Sequence, residues 1–421
     1  MSESPQSVRR SRVFRARWVV PIVGPVIENA AICVEEGRVA SLGVCRQTPD
    51  VDLGDVVVTP GFVNANTHWE FSDLERPLGR PEQRFPDWIR TVIAERKRGD
   101  REVAEAVGGG RNESLRCGVT AAGEIATAPA GVYRRDPTPI AAALFHEVIG
   151  FSTARFESAL AHGLERLQSS TTSACSGAFA TLPDGVSPHA PYTVHPQLVQ
   201  RLAEASRNDQ FPVAMHLAES LEELELLHSG RGPFRDLLEE RGMWGDEVIA
   251  PGTRPLDYLK QLATCWQALV VHGNYLTSNE IDYVAAHRDR LSVAYCPRTH
   301  AYFGHTRYPL ERMLASGVRV ALGTDSRASN PDLDLVAEMR FAAARHPEVE
   351  PALLLRMATA DAADALERGG RRGRLAVGCV ADMVAFEYDA VTMSPIDAIF
   401  EGGELSRRVF VAGEEWLPGG S

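Results

Sequence analysis

Residues 58–73 read VTPGFVNANTHWEFSD, and the middle of this stretch decides the fold. Pro60 and Gly61 end a leading segment, and the apolar pair Phe62 and Val63 then runs into polar residues that alternate with small ones. Side chains two apart share one face of a strand, so Asn64, Asn66 and His68 point together. That is how the end of a strand presents ligands to a metal. Two alternating histidines would be the stronger form of the signal, and one of the two places here is taken by Asn66.

Downstream, a helical pattern, a short apolar run and a polar end recur in turn. The apolar runs are Gly118 to Ile125, Ile140 to Ile149, Gly185 to Pro188, Val213 to Leu217, Ala268 to His272, Leu291 to Cys296 and Val318 to Thr324. With the first strand they make eight, and helical stretches such as Gln197 to Arg207 and Ser220 to Leu227 lie between them. Eight strands alternating with helices over about 260 residues predict an α/β chain folded as a (β/α)8 TIM-like barrel. Its chemistry then belongs on the carboxyl ends of the strands. Phe85 to Lys97 sets Trp88, Ile89, Val92 and Ile93 at helical spacing, which predicts a helix packed by one face. Its place after the first strand also suits it to cover a site, with Trp88 and Arg90 as candidate substrate contacts.

Both ends of the chain are β in character. Arg15 to Val58 is a series of strand-like runs with a hairpin turn signal at Glu36-Gly37, and GRLAVGCVADMVAFEYDAV and RRVFVAGEEW close the sequence in the same texture. The simplest architecture joins residues 1–60 and 375–421 into one small β-sandwich domain beside a barrel of residues 61–374. Arg9, Arg10, Arg12, Arg15 and Arg17 precede WVVPIVGPVI in a superficial likeness to a twin-arginine export signal. Pro21, Gly24 and Pro25 interrupt that apolar run, so a disordered basic tail leading into a strand is expected instead.

A chain of 421 residues with 44% hydrophobic and 24% charged residues has a globular composition, and the length allows a large core. The net charge of -12 argues against a broad nucleic-acid surface. No apolar run reaches the ~18 residues of a spanning helix. Seven cysteines, Cys33, Cys45, Cys117, Cys175, Cys265, Cys296 and Cys379, stand singly without a CxxC pair. They read as reduced, mostly buried thiols of a cytoplasmic protein whose partner is a small-molecule substrate.

Polar residues at the strand ends supply the chemistry. FPVAMHLAES ends in His216 and, three residues on, Glu219, a pairing suited to activating water, although a core histidine and a surface glutamate would read the same way. VALGTDSRASNP places Asp325 at a strand end, as a metal ligand, a proton acceptor or a helix N-cap. His272 follows four apolar residues in ALVVHGNYLT, and His189 lies between prolines in SPHAPYTVHP. One such histidine is usually structural; four of eight strand ends with a histidine, and a fifth with an aspartate, make a pattern.

In content and order, NANTHWEFSDL, SPHAPYTVH, AMHLAES, VVHGNYL, AYCPRTHAYFG and ALGTDSRASNPDL resemble the metal-dependent amidohydrolase superfamily, closest to its cytosine deaminase-like and chlorohydrolase-like branch. The resemblance runs from about Val13 to Trp416. It implies that His68, His216 and Asp325 bind one divalent metal, zinc or alternatively iron or manganese. It makes Glu219 the proton shuttle to the leaving group and gives His272 the role of orienting nucleophile or substrate. His189 matches a substrate-contacting histidine, and Cys296, Arg298 and His300 fall on a loop that shapes specificity, Arg298 being taken as a substrate contact. No lysine ends the third or fourth strand to bridge two metals, and Glu147 is the carboxylate of that region. The implied reaction is deamination of an amino-substituted heterocycle, with Glu219, His272 and Asp325 catalytic. Dimers are common in such proteins by analogy only.

Asn66 departs from the family pattern, standing where the first histidine of an HxH pair belongs. An amide oxygen is a harder and weaker ligand than imidazole, yet three protein ligands plus water suffice for catalytic zinc. Two alternatives stay open at this level. One is a chlorohydrolase or cyclic amidohydrolase on the same scaffold; the other is a metal-poor pseudoenzyme or binding protein.

Overall fold

The computed structural model describes residues 11–95, 100–135, 138–172, 182–245, 248–387, 394–401 and 406–417. Two eight-stranded sheets organise them. The first barrel strand is Phe62–Thr67, followed by Val119–Ala126, Ala141–Val148, Gly185–Pro188, Pro212–Leu217, Gln267–His272, Leu291–Tyr295 and Val320–Leu322. Each pairs in parallel with the next. All eight expected apolar runs are strands, within a few residues of the expected bounds, because each is buried on both faces beneath helices.

Closure of the barrel uses side chains as well as backbone. Asp325 N–H donates to Asn66 O at 3.0 Å, and Thr67 bridges Asp325 in parallel. One residue pair earlier, the Asn64 amide spans the seam, donating to Thr324 Oγ1 at 2.8 Å and accepting from Thr324 N–H at 3.1 Å. Gly323 permits this approach, since a Cβ there would lie 3.0 Å from Asn66 Cβ, N and O. The interior below is filled by small and branched side chains, among them Ala65, Ala121, Ala143, Ala214 and Val271. Helix Ala360–Leu366 seals the amino-terminal end, where Gln267 Nε2 donates to Ala365 O at 2.6 Å.

The terminal segments meet in the second sheet, in which Val56–Pro60 pairs antiparallel with Met383–Glu387 and in parallel with Ser11–Val19. Alternation along Val56–Pro60 assigns its two faces. Val56 and Val58 join a separate core around Phe14 and Phe410, whereas Val57 joins the barrel core. The chain then passes from one sheet to the other at Gly61, where a Cβ would collide with Thr120. The Glu36-Gly37 hairpin forms between Ile27–Glu35 and Arg38–Val44, both turn residues having positive φ, 50° and 74°.

The expected basic tail is partly a strand. Arg12, Arg15 and Arg17 lie within Ser11–Val19 and pair with Glu414, Asp52 and Asp55. Arg12 is exposed and Arg15 and Arg17 are half-buried, whereas the adjacent Val13 and Phe14, and then Ala16, are buried. Arg9, Arg10 and Cys175 lie outside the described residues. The six described cysteines are free, three of them buried. No helix among the described residues is long and apolar enough to cross a membrane.

Replacing Asn64 by alanine leaves the buried Thr324 N–H without its side-chain acceptor at the seam. Asn64→Ala is therefore expected to lower unfolding stability by about 1–3 kcal/mol, read as a lower urea midpoint at unchanged slope. An unchanged midpoint would show that the backbone bridge alone closes the barrel.

Candidate active site

The carboxyl ends of the barrel strands open into a cavity of about 160 Å³, ample for more than one water. Its floor carries His68, Glu147, His189, His216, Glu219, His272 and Asp325, residues from the first, third, fourth, fifth, sixth and eighth strand ends. Its wall is apolar. Helix Phe85–Glu95 contributes Phe85, Trp88, Ile89 and Val92, and helix Pro233–Glu240 contributes Phe234 and Leu237. The helix expected to cover a site does so with Trp88, whose indole N–H donates to Leu78 O at 3.0 Å and so fixes the ring.

Backbone strain collects at this end. Ala218, His272 and Asp325 all take positive φ, 53°, 70° and 57°. A non-glycine residue held there costs about 1–3 kcal/mol, and the hydrogen bonds around each show what holds it. Tyr308 Oη donates to His272 O at 2.8 Å. Ala218 N–H and Glu219 N–H both donate to the Glu223 carboxylate, at 2.8 and 2.9 Å, and Asn274 Nδ2 donates to Glu219 O at 2.9 Å. Glu223 in turn belongs to a helix whose N-cap, Ser220, accepts its backbone N–H at 3.2 Å.

Among the donor atoms, His68 Nε2 and Asp325 Oδ1 are 3.3 Å apart. The other Asp325 oxygen, Oδ2, accepts from Ser329 Oγ at 3.0 Å, so Oδ1 is the one turned to His68. His216 Nδ1 lies 3.1 Å from His189 O, to which it donates, leaving Nε2 as the unprotonated nitrogen. The His68 and His216 rings stand 5.6 Å apart between centroids. His189 is held by its Nδ1 at 2.8 Å from Thr193 Oγ1. Asn66 is completely buried, and its Oδ1 has no hydrogen-bond partner among the described residues.

Glu219 Oε1 and His272 Nε2 form a second close pair at 3.2 Å. Burial, aided by the nearby charges of Asp325 and Glu223, holds the Glu219 carboxyl well above the usual carboxylate range. Burial and then the neighbouring His216 hold His272 well below the usual imidazole range. Both members are thus driven to neutral forms. Burial also pushes His216 down to about 3, and it pushes Asp325 up to about 7 against the opposing hydrogen bond from Ser329.

Arg298 is the expected substrate contact that the fold places elsewhere. Its guanidinium is committed to Asp332 and Glu338, each at 2.7 Å, and it does not line the cavity. Arg90 likewise pairs with Glu240 and Asp87 on the outer side of its helix. Conversely, sequence reasoning passed over Glu223, Ser329 and Asn274. The first carried a local signal, the Ser-x-x-Glu capping pattern at Ser220 to Glu223; the others bond across loops and carried none.

The chain is 30% identical over 390 residues to a 5-methylthioadenosine/S-adenosylhomocysteine deaminase of Nitratidesulfovibrio vulgaris, covering 88% of this chain and 82% of that relative. It is similar in structure to a zinc-bound adenosine deaminase from Xanthomonas campestris, with TM-score 0.76, 25% identity and 96% and 92% of the two chains covered. Its fold also matches Helicobacter pylori aminofutalosine deaminase in complex with methylthio-coformycin, with TM-score 0.81, 21% identity and 96% and 100% coverage. The model of the amidohydrolase family matches residues 57–415, a span that takes in every strand end described above, and the chain belongs to that family.

Proposed function

We propose that the protein is a metal-dependent deaminase that hydrolytically removes the exocyclic amine of a nucleoside-like heterocycle. The observation that carries this reading is the presence, on one cavity floor, of the His68–Asp325 pair beside the neutral Glu219–His272 pair. The similar proteins described above, all named as deaminases, support it over carbon–halogen or cyclic amide hydrolysis.

The donor set suits a divalent metal. Ligand atoms around tetrahedral zinc lie about 3.3–3.6 Å apart, which matches the His68 Nε2 to Asp325 Oδ1 separation of 3.3 Å. His216, neutral and anchored through Nδ1, offers the second imidazole, and the orphaned Asn66 Oδ1 is a buried oxygen in need of a partner. Among the described residues His68, His216 and Asp325 are not drawn together around one point as the chain stands, so the fit is one of donor chemistry and of the His68–Asp325 spacing. His68, His216 and Asp325 would hold the ion, zinc first. Bound there, a divalent metal lowers the pKa of water from 15.7 towards ~7 and so supplies a nucleophile at neutral pH.

The remaining work falls to the chain. Asp325 Oδ1 accepts a proton from the attacking water. Glu219, kept protonated by burial, delivers its proton to the departing nitrogen, and the carbon–nitrogen bond breaks as the carbon–oxygen bond forms, releasing ammonia. His272 Nε2, 3.2 Å from Glu219 Oε1, fixes the direction of that acid. His189 and Trp88 bracket the ring, one with an imidazole pinned by Thr193 and the other with a fixed aromatic face. Arg298 has no part in this arrangement. The apolar wall above excludes water from the charges that develop.

Glu219→Gln keeps the shape of the acid without its proton. It is expected to cut kcat for ammonia release about 100- to 10,000-fold, with metal content by elemental analysis unchanged. Assaying adenosine-type, pterin and pyrimidine amines beside chlorinated triazines decides the bond: ammonia supports the proposal, and chloride without ammonia defeats it.

Metal binding should also depend on pH. With the Asp325 carboxyl at about 7, protons compete with the ion below that value and not above it. Apparent affinity, measured against a chelating dye, is expected to rise about tenfold per pH unit up to pH 7 and then level off. Asp325→Asn should flatten the curve, and a wild-type curve already flat between pH 5.5 and 7 would contradict the assignment.

A further inference from the structure

The turn that carries Glu219 is held at every polar atom of the Ala218 and Glu219 backbone. Ala218 O accepts from Tyr275 N–H at 3.1 Å and Glu219 O accepts from Asn274 Nδ2 at 2.9 Å, so the loop after the sixth strand takes both carbonyls. The two N–H groups go elsewhere, Ala218 N–H to Glu223 Oε1 at 2.8 Å and Glu219 N–H to Glu223 Oε2 at 2.9 Å. A single side chain therefore holds the whole N–H side. Ala218 has φ 53°, and a turn of that kind aims successive N–H groups at one point, where an anion fits. Here the chain supplies the anion itself. Glu223 is completely buried, and its own N–H, donating to Ser220 Oγ at 3.2 Å, fixes it in the first turn of helix Leu221–Ser229. Burial pushes its carboxyl up to about 7, against the N–H groups of Glu219, Ala218 and Ser220, which favour the charged form.

We propose that Glu223 is a positioning residue of the reaction: its carboxylate, closed over the Ala218 and Glu219 N–H groups, sets where Glu219 Oε1 stands against His272 and the departing nitrogen. The proposal rests on the assignment of Glu219 as the acid given above. Glu223 acts from outside the cavity, whose lining includes Glu219 and His272 but not Glu223. The 3.2 Å separation of Glu219 Oε1 and His272 Nε2 joins residues of two different loops, so the placing of either loop sets it. The carbonyl bonds attach the Glu219 turn to the loop of His272, and the two bonds to Glu223 fix how the turn is rotated about that attachment. In Glu223→Gln one oxygen must serve two N–H groups, and one of them is left facing an NH2 group.

The test is a double-mutant cycle on the full chain, with circular dichroism confirming that each variant is folded. Glu223→Gln is expected to lower kcat for ammonia release about 10- to 100-fold at unchanged KM and metal content. In the Glu219→Gln background, where no acid remains to be aimed, the same change should lower kcat no further. A second readout does not depend on turnover. The infrared C=O stretch of the Glu219 carboxyl, isolated by subtracting the spectrum of the matching Glu219→Gln variant, should differ in frequency between the wild-type and Glu223→Gln backgrounds. An unmoved band overturns the proposal, as does an undiminished kcat or an equal loss of kcat in the Glu219→Gln background. Should Glu223→Gln not fold, Glu223→Asp, which keeps the charge on a shorter stem, takes its place in the cycle; failure of both to fold makes the residue purely structural and overturns the proposal as well. If the wild type releases ammonia from no amine tested, the deaminase reading fails, and the infrared band still decides whether Glu223 sets the position of Glu219.

Discussion

The seam between the first and eighth strands is the constraint on which the rest of the site depends. A parallel barrel can be closed only if its last strand finds its first, and here they meet through Asp325 N–H to Asn66 O and through the amide of Asn64. Asp325, which donates the backbone bond, also carries a side chain of the cavity floor, and the acceptor Asn66 stands two residues from His68. Closure and convergence are therefore one event: the bond that completes the barrel brings Asp325 beside His68, more than 250 positions away in the chain. The side-chain amide of Asn64 makes this seam specific in register, because a one-residue slip would leave buried donors unpaired.

Around the seam, burial sets the protonation of the cavity floor. Carboxyls are moved up and imidazoles down, so Glu219 and His272 meet as neutral groups and His216 keeps a free lone pair. An isolated cluster of this kind would be costly, because desolvated polar atoms need partners. The surrounding loops supply them at fixed points: Ser329 behind Asp325, Glu223 behind the Glu219 backbone, Tyr308 behind His272. These contacts also hold Ala218, His272 and Asp325 at positive φ, which shows that local conformational preference is overridden there.

Most of the architecture was legible in the chain because it depends on periodicity. The apolar runs, their alternation with helices, the Glu36-Gly37 turn and the position of Trp88 all follow from spacing along a single element. What stayed hidden depends on partners distant in sequence. Arg298 looks like a substrate contact on its loop until Asp332 and Glu338 are seen to take up its guanidinium. Arg12 looks like part of a tail because the burial of its neighbours Val13 and Phe14 depends on strands supplied from elsewhere in the chain. Asn66 was legible as an anomaly, but that its backbone carbonyl closes the barrel against Asp325 was not.

The antiparallel pairing of Val56–Pro60 with Met383–Glu387 has a consequence for synthesis. Roughly 320 residues separate these strands, so at about 5–20 residues per second the earlier one waits on the order of 15–65 s for its neighbour to be made. During that interval one edge of a nascent sheet is open to any other chain. Ser11–Val19, on the far side of Val56–Pro60, is already flanked by Ile27–Glu35, so the open edge is that of Val56–Pro60 itself. That strand carries no charge, but it ends in Pro60, which has no N–H to offer a foreign strand, and a proline on an open edge is a deterrent to edge-to-edge pairing while the sheet is half built.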